Sequence, residues 1–110
     1  MAEPKYTDIL IDGDDIATDA AGQPIPIYDR AVISQDITHA LREAGVLTEL
    51  IAERSTEMRR HYMKKIKVVV ETDPRVIPGS STVTESTPGN LQITADTEFG
   101  KIDLAVVQEQ

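Results

Sequence analysis

Nineteen carboxylates, two histidines and no cysteine are the groups from which this 110-residue chain could build chemistry. The densest acidic stretch runs from Asp12 through Asp14 and Asp15 to Asp19, and its oxygens invite comparison with a calcium loop. An EF-hand loop needs oxygen ligands at its first, third and fifth positions, glycine at the sixth and a bidentate acid at the twelfth. Counted from Asp12, those last three positions hold Ile16, Ala17 and Gln23, so the stretch reads as a solvated turn. Zinc has only His39 and His61 to bind, far apart and with no thiolate to join them. No metal and no other cofactor is expected. Ser34, Ser55, Ser80, Ser81 and Ser86 stand in cap or turn contexts without the strand-to-helix elbow of a nucleophilic serine. Neither "IPGSS" nor "TPGN" has the glycine spacing of a phosphate-binding loop. Among nineteen acids some pair can always lie at a glycosidase-like separation of roughly 5 to 9 Å. No spacing singles out two of them, and aromatic sugar platforms are nearly absent, with one Phe, three Tyr and no Trp. The chain is therefore expected not to be an enzyme, with a glycan-cleaving enzyme as the alternative.

Two charged features remain. Asp73-Pro74-Arg75 stands between the valines of "IKVVVET" and the β-branched run that resumes after it. It reads either as a helix stop, with Asp73 capping the turn and Arg75 paired with a nearby acid, or as a stiff corner offering an arginine to a partner. From Arg54 to Lys67, six basic residues (Arg54, Arg59, Arg60, Lys64, Lys65 and Lys67) face the single acid Glu57, while the other five bases share the chain with eighteen acids. The bland reading is a solvated helix face whose late lysines complement the helix dipole. The sharper one is a docking stripe for an acidic protein, centred on Arg59, Lys64 and Lys65. A net charge of −8 argues against a nucleic-acid binder that works by neutralising phosphates.

The elements that must position these groups follow from periodicity. Hydrophobic residues at 40% and charged residues at 27% suit one globular domain spanning 1–110, with residues 1–5 loose. No apolar run approaches the roughly 20 residues that cross a bilayer. The absence of cysteine suits folding in a cytoplasm. Tyr6 to Ile11 has strand character, "DGDD" reads as a turn, Ile16 sits on a short return strand, and the proline-bearing "PIPIY" reads as an edge strand. Ser34 reads as a helix N-cap. Ile33, Ile37, Ala40, Leu41, Ala44, Leu47, Leu50 and Ile51 then recur at spacings of three and four. Gly45 is expected to kink or split that helix. A second helix is expected from Ser55 or Thr56 to about Val70, with Met58, Tyr62, Ile66 and Val69 on its apolar stripe. Three alternating strands follow, near 81–86, 91–96 and 101–107, joined by short turns. The fold class is α+β: an antiparallel sheet, made of an N-terminal hairpin and a C-terminal meander, packed against two helices.

Taken in order, "DILIDGDD", "GQPIPIYDRAVISQDITHAL", two helices, "DPRV" and a meander resemble the contractile-tail baseplate wedge family, the sheath-initiator or baseplate assembly protein W group. Gln35-Asp36-Ile37 is similar to that family's helix-opening Gln-Asp/Asn-Ile step. Asp73-Pro74-Arg75 is similar to its Glu-Pro-Arg signature, with Asp in place of Glu. The chain departs from the family between the helices, where only Gly45 stands in for a longer Gly/Pro-containing segment, and the C-terminal strands are compact. The resemblance implies a structural protein of the virion's tail baseplate, made in the host cytoplasm and part of a symmetric ring. Its partners would be other wedge proteins and the tail sheath, with no nucleic acid or membrane involved. Asp73, Pro74, Arg75, Gln35 and Asp36 would dock the wedge partner, and bare strand edges would start the sheath by strand addition.

Overall fold

Alternation of apolar and polar residues after the corner builds a meander of β5 (Thr82–Thr87), β6 (Asn90–Thr97) and β7 (Gly100–Val107), with β6 in the middle. The computed structural model that shows this describes residues 3–12, 15–46, 50, 55–87 and 90–107. The register pairs Val83 with Ile93, Ile93 with Leu104 and Ala95 with Ile102, so the apolar residues of all three strands share one face. Leu91, Ile93, Ala95, Ile102 and Leu104 are buried there. The opposite face carries Thr82, Thr84, Gln92, Asp96, Lys101 and Asp103, all exposed.

Two helices cover the apolar face, α1 (Arg30–Ala44) against β7 and α2 (Thr56–Thr72) against β5. Ile33, Ile37 and Leu41 from α1 meet Ile66 and Val70 from α2, with Val46, Leu50 and Val76 completing the core. Full burial of each such side chain stabilises the fold by about 1.5–3 kcal/mol. The expected α+β class is what forms.

Several boundaries differ from expectation. α1 begins four residues before Ser34, because Asp29, at φ +43°, turns the chain directly out of the N-terminal strands. The Asp29 carboxylate accepts from the Lys5 and Tyr6 amides, both at 2.9 Å, and its carbonyl accepts the first helical bond from Ile33. Ser34 is therefore inside the helix. Gly45 ends α1 in the left-handed conformation, φ +70°, with its amide on the Arg42 carbonyl, and Val46 and Leu50 beyond it are again helical, so the expected split falls here as a C-terminal cap. In α2, Ser55 is the cap and accepts from the Met58 amide. The buried stripe is centred on Ile66 and Val70, leaving Met58 exposed and Tyr62 and Val69 at the margin. The three valines stay helical because burial of Val70 outweighs a β-branched propensity of a few tenths of a kcal/mol per residue. The lysines of α2 lie a turn or more before its end, so the last turn holds no base and the dipole explanation fails. Leu47, Ile51 and Arg54 lie outside the described residues.

The first thirty residues form an arm of paired short strands. β1 (Thr7–Ile9) pairs antiparallel with β4 (Pro26–Tyr28), and β2 (Ile11–Asp12) with β3 (Asp15–Ile16). Leu10 ties the two hairpins together, donating to the Ile25 carbonyl at 2.8 Å and accepting from the Ala17 amide at 2.9 Å. Pro26 removes a donor from β4, and Pro24 one from the segment leading into it, as expected of an edge. The molecule is elongated, 47 × 31 × 21 Å.

Candidate functional site

Pro74 pushes Asp73 out of the helical region, and Asp73 duly sits at φ −70°, ψ 119° at the end of α2. The Val76 amide closes the turn onto the Asp73 carbonyl at 3.1 Å. Inside that turn the Asp73 carboxylate accepts from the Arg75 amide and Nε, both at 2.9 Å, and from Nη2 at 2.6 Å. The same Nη2 reaches Asp36 Oδ2 on α1 at 2.9 Å. The guanidinium lies over the Tyr6 ring at 5.2 Å, and Tyr6 meets Phe99 edge-on at 5.7 Å. Four distant segments thus converge: the N-terminal segment at Tyr6, α1 at Asp36, the corner that ends α2, and the β6–β7 turn at Phe99.

This corrects the expectation that Arg75 projects outward. Its side chain is only 19% exposed, and its fork is closed on its own chain. The reason is local: a carboxylate two residues earlier in a tight turn meets the guanidinium in its plane, and bidentate pairing follows. Hydrogen bonds from the Arg75 side chain hold Asp73 below the usual carboxylate range, although burial pulls the other way. The same bonds to Asp73, then those to Asp36, raise Arg75 further above its ordinary value.

Gln35, the neighbour of Asp36, accepts from the Ile11 amide at 2.8 Å and donates to the Ile9 carbonyl at 3.0 Å. Its side-chain amide stands in for one residue of an extra strand on the outer edge of β1. Gln35→Ala is expected to accelerate hydrogen exchange at the Ile11 amide about tenfold while leaving the global melting temperature nearly unchanged. Unchanged exchange there would show that Gln35 does not hold the arm.

The basic residues divide. Arg59 is an internal clamp: Nη1 donates to the Leu50 carbonyl at 3.0 Å and Nη2 pairs with the Glu85 carboxylate on β5. Lys67 caps the Ser81 carbonyl at 2.9 Å. Lys64 and Lys65 are exposed and line a groove of about 450 Å³ with Ala44, Val46, His61, Val68 and Val69. Lys65 Nζ lies 5.4 Å from the Tyr62 ring. Of the eight expected site residues, Asp36, Asp73, Pro74 and Arg75 gather at the junction, Gln35 turns instead to the arm, and Arg59, Lys64 and Lys65 lie elsewhere on α2.

Four residues of these clusters were not anticipated. Tyr6 and Phe99 are two of only four aromatic residues in the chain, and that scarcity was the available signal. Glu85 shares the phase of Val83 in β5, which pointed it inward toward Arg59. Glu71 organises the 78–81 loop, accepting from the Gly79 amide at 2.7 Å and from the Ser81 hydroxyl. The Ser81 hydroxyl, then the Gly79 amide, lower its pKa. Glu71 and Asp73 therefore both shift downward, opposite to what a glycosidase acid requires.

The backbone offers another kind of site. Asp96 bonds Ser80 and Ile77 on the β5 side of β6, at 3.0 and 2.8 Å, so it faces away from β7. Its partner Lys101 must then face away from β6, and its carbonyl is capped by Arg30 Nη1 at 3.3 Å. Antiparallel alternation turns the backbone groups of Asp103 and Ala105 outward as well. Val83 and Glu85 occupy the equivalent positions on β5. Among the described residues no strand pairs with the outer edge of β5 or β7.

The structure thus combines an α+β frame, two strand edges without a strand neighbour and a charged clasp, and among the described residues no group of three or more His, Asp or Glu is placed to hold a metal ion. Residues 7–105 match a family described as "Protein of unknown function (DUF2590)", and the chain belongs to that family. It is 46% identical over 102 residues, 92% of each chain, to the "Uncharacterized 12.7 kDa protein in lys 3'region" of Haemophilus phage HP1 (strain HP1c1). That similarity makes the chain a phage-associated protein. No solved structure matches it. No helix of the described residues is long and apolar enough to cross a membrane.

Proposed function

We propose that the chain is a non-enzymatic structural component of a contractile phage tail baseplate, placed in the inner wedge ring of the virion, where it joins wedge subunits and starts the sheath by strand addition. The observation that carries this reading is the outer edge of β7, where the backbone groups of Asp103 and Ala105 face outward with no strand partner among the described residues. Main-chain hydrogen bonds along such an edge give affinity without demanding particular side chains. The order of elements, the similarity to a phage protein and the Asp73-Pro74-Arg75 corner support the same reading. In it the corner works by rigidity: Arg75 locks the turn from within, and the exposed Pro74 faces the wedge partner.

Ala105→Pro tests the proposal. Proline there removes an outward-facing N–H and no ladder bond, so stability is expected to change by less than about 1 kcal/mol. The folded variant is expected to fail to nucleate sheath on assembled wedges, as seen by electron microscopy of tails. A folded Ala105→Pro protein that supports full-length tails would overturn the β7 template.

A further inference from the structure

The groove between the end of α1 and the middle of α2 has an apolar floor and a basic rim. Val46, Val68 and Val69 form the floor, and Val68 is 65% exposed, the most exposed large apolar residue described. Lys64, Lys65 and His61 rim it, with Arg60 exposed one turn before Lys64. No residue of the arm lines this groove within the same chain. The arm has the opposite character. Between Lys5 and Arg30 the sequence holds six acids and no base, although the chain as a whole carries only −8. On that acidic arm Ile16 is 49% exposed and Ile9 39%, apolar side chains left without cover.

We infer that the acidic arm of one copy docks, through Ile16 and its flanking Asp12 and Asp15, into the Lys64/Lys65 groove of a second copy. Both halves of the contact are complementary in charge and in apolar character, and each covers what the other leaves exposed. The contact inferred is heterologous, one arm in one groove at each interface. Each docking leaves one free arm and one free groove, and copies add head to tail until a ring closes or a filament grows. Attraction between a strongly acidic and a basic surface is expected to steer the encounter and to be screened by salt, because the Debye length at physiological ionic strength is only about 8 Å. This inference stands on the arm and the groove alone and does not need the baseplate reading.

The test is sedimentation velocity of the full chain at concentrations up to about 1 mM. In low salt the wild-type mass is expected to rise past the dimer with concentration, and to fall back to the monomer in about 1 M salt. Two variants separate the halves: Lys64→Glu with Lys65→Glu in the groove, and Asp12→Asn, Asp15→Asn with Ile16→Ser in the arm. All five residues are exposed, and circular dichroism melting verifies folding. Each variant alone is expected to self-associate at least about tenfold more weakly than wild type. Their equimolar mixture is expected to form a dimer that grows no further, since one intact arm and one intact groove remain. A wild-type protein that stays monomeric at every concentration, or variants that associate as it does, would overturn the inference, and so would a mixture that forms no dimer. Wild-type binding to phosphatidylglycerol vesicles without self-association would overturn it too, assigning the groove to anionic headgroups.

Discussion

Arg75→Ala is expected to lower the unfolding free energy by about 2–3 kcal/mol, and the melting temperature by roughly 8–15 °C. The cost has identifiable parts. Asp73, with a side chain only 12% exposed, loses both partners of its carboxylate on the Arg75 side chain and stays charged. The bond to Asp36 adds less, because that carboxylate is 40% exposed and water replaces the lost donor. Tyr6 loses the cation above its ring, and with it part of the tie between the N-terminal strand and the core. Arg75→Lys is expected to recover less than half of the loss, since an ammonium cannot reproduce the planar fork. Denaturant unfolding of the three proteins measures this, and a change below about 0.5 kcal/mol for Arg75→Ala would show that the clasp is ornamental.

The same pair sets a pH dependence whose sign is fixed. Asp73 is held below its ordinary pKa when folded, so its contribution is fully present above the unfolded value near 3.9. It is lost as pH falls through the folded value. The stability gap between wild type and Arg75→Ala is therefore expected to be constant near neutrality and to shrink below about pH 4. This matters for reading function. A tail-assembly defect in Arg75→Ala reports on a partner contact only if the variant is still folded at the assay temperature, so the exposed Pro74 is the cleaner probe of docking.

How far the sequence disclosed this fold depended on the range of each interaction. Period-two and period-four patterns gave the meander and both helices, because burial of Ile93, Leu104, Ile37 and Leu41 is written in the phase of their own segments. The start of α1 was misplaced because Asp29 is fixed by the backbone of Lys5 and Tyr6, 24 and 23 residues earlier. No local cap rule contains that contact. The corner motif and the Gln35-Asp36 step were both singled out, yet nothing in their spacing showed that Arg75 and Asp36, 39 residues apart, pair with each other. Charge alone could not say whether an arginine faces a partner or its own chain; here Asp73, two residues earlier, decided it. The division of the α2 bases likewise depended on Glu85 arriving from a strand that folds back against the helix.

The largest single effect is expected from Ile93→Ala, at about 3–4 kcal/mol, while Thr84→Ala on the opposite face of the same sheet is expected to stay within about 0.5 kcal/mol. Ile93 is fully buried in the central strand, paired with Val83 on one side and Leu104 on the other, beneath both helices. Removing its outer carbons leaves a void bounded by three strands and two helices, with little freedom to collapse. Thr84 faces away from the helices and is exposed, so its truncation exposes nothing and orphans no buried group. Equilibrium unfolding in denaturant checks the pair, and comparable losses at the two positions would mean that the outer face is covered by something packed on it. The contrast bears on assembly because the sheet is stabilised from one side only. Its outer face and the outward backbone groups of β5 and β7 contribute little to the fold, so both are available to a partner at small cost in stability, and substitutions there can alter assembly while leaving the monomer intact.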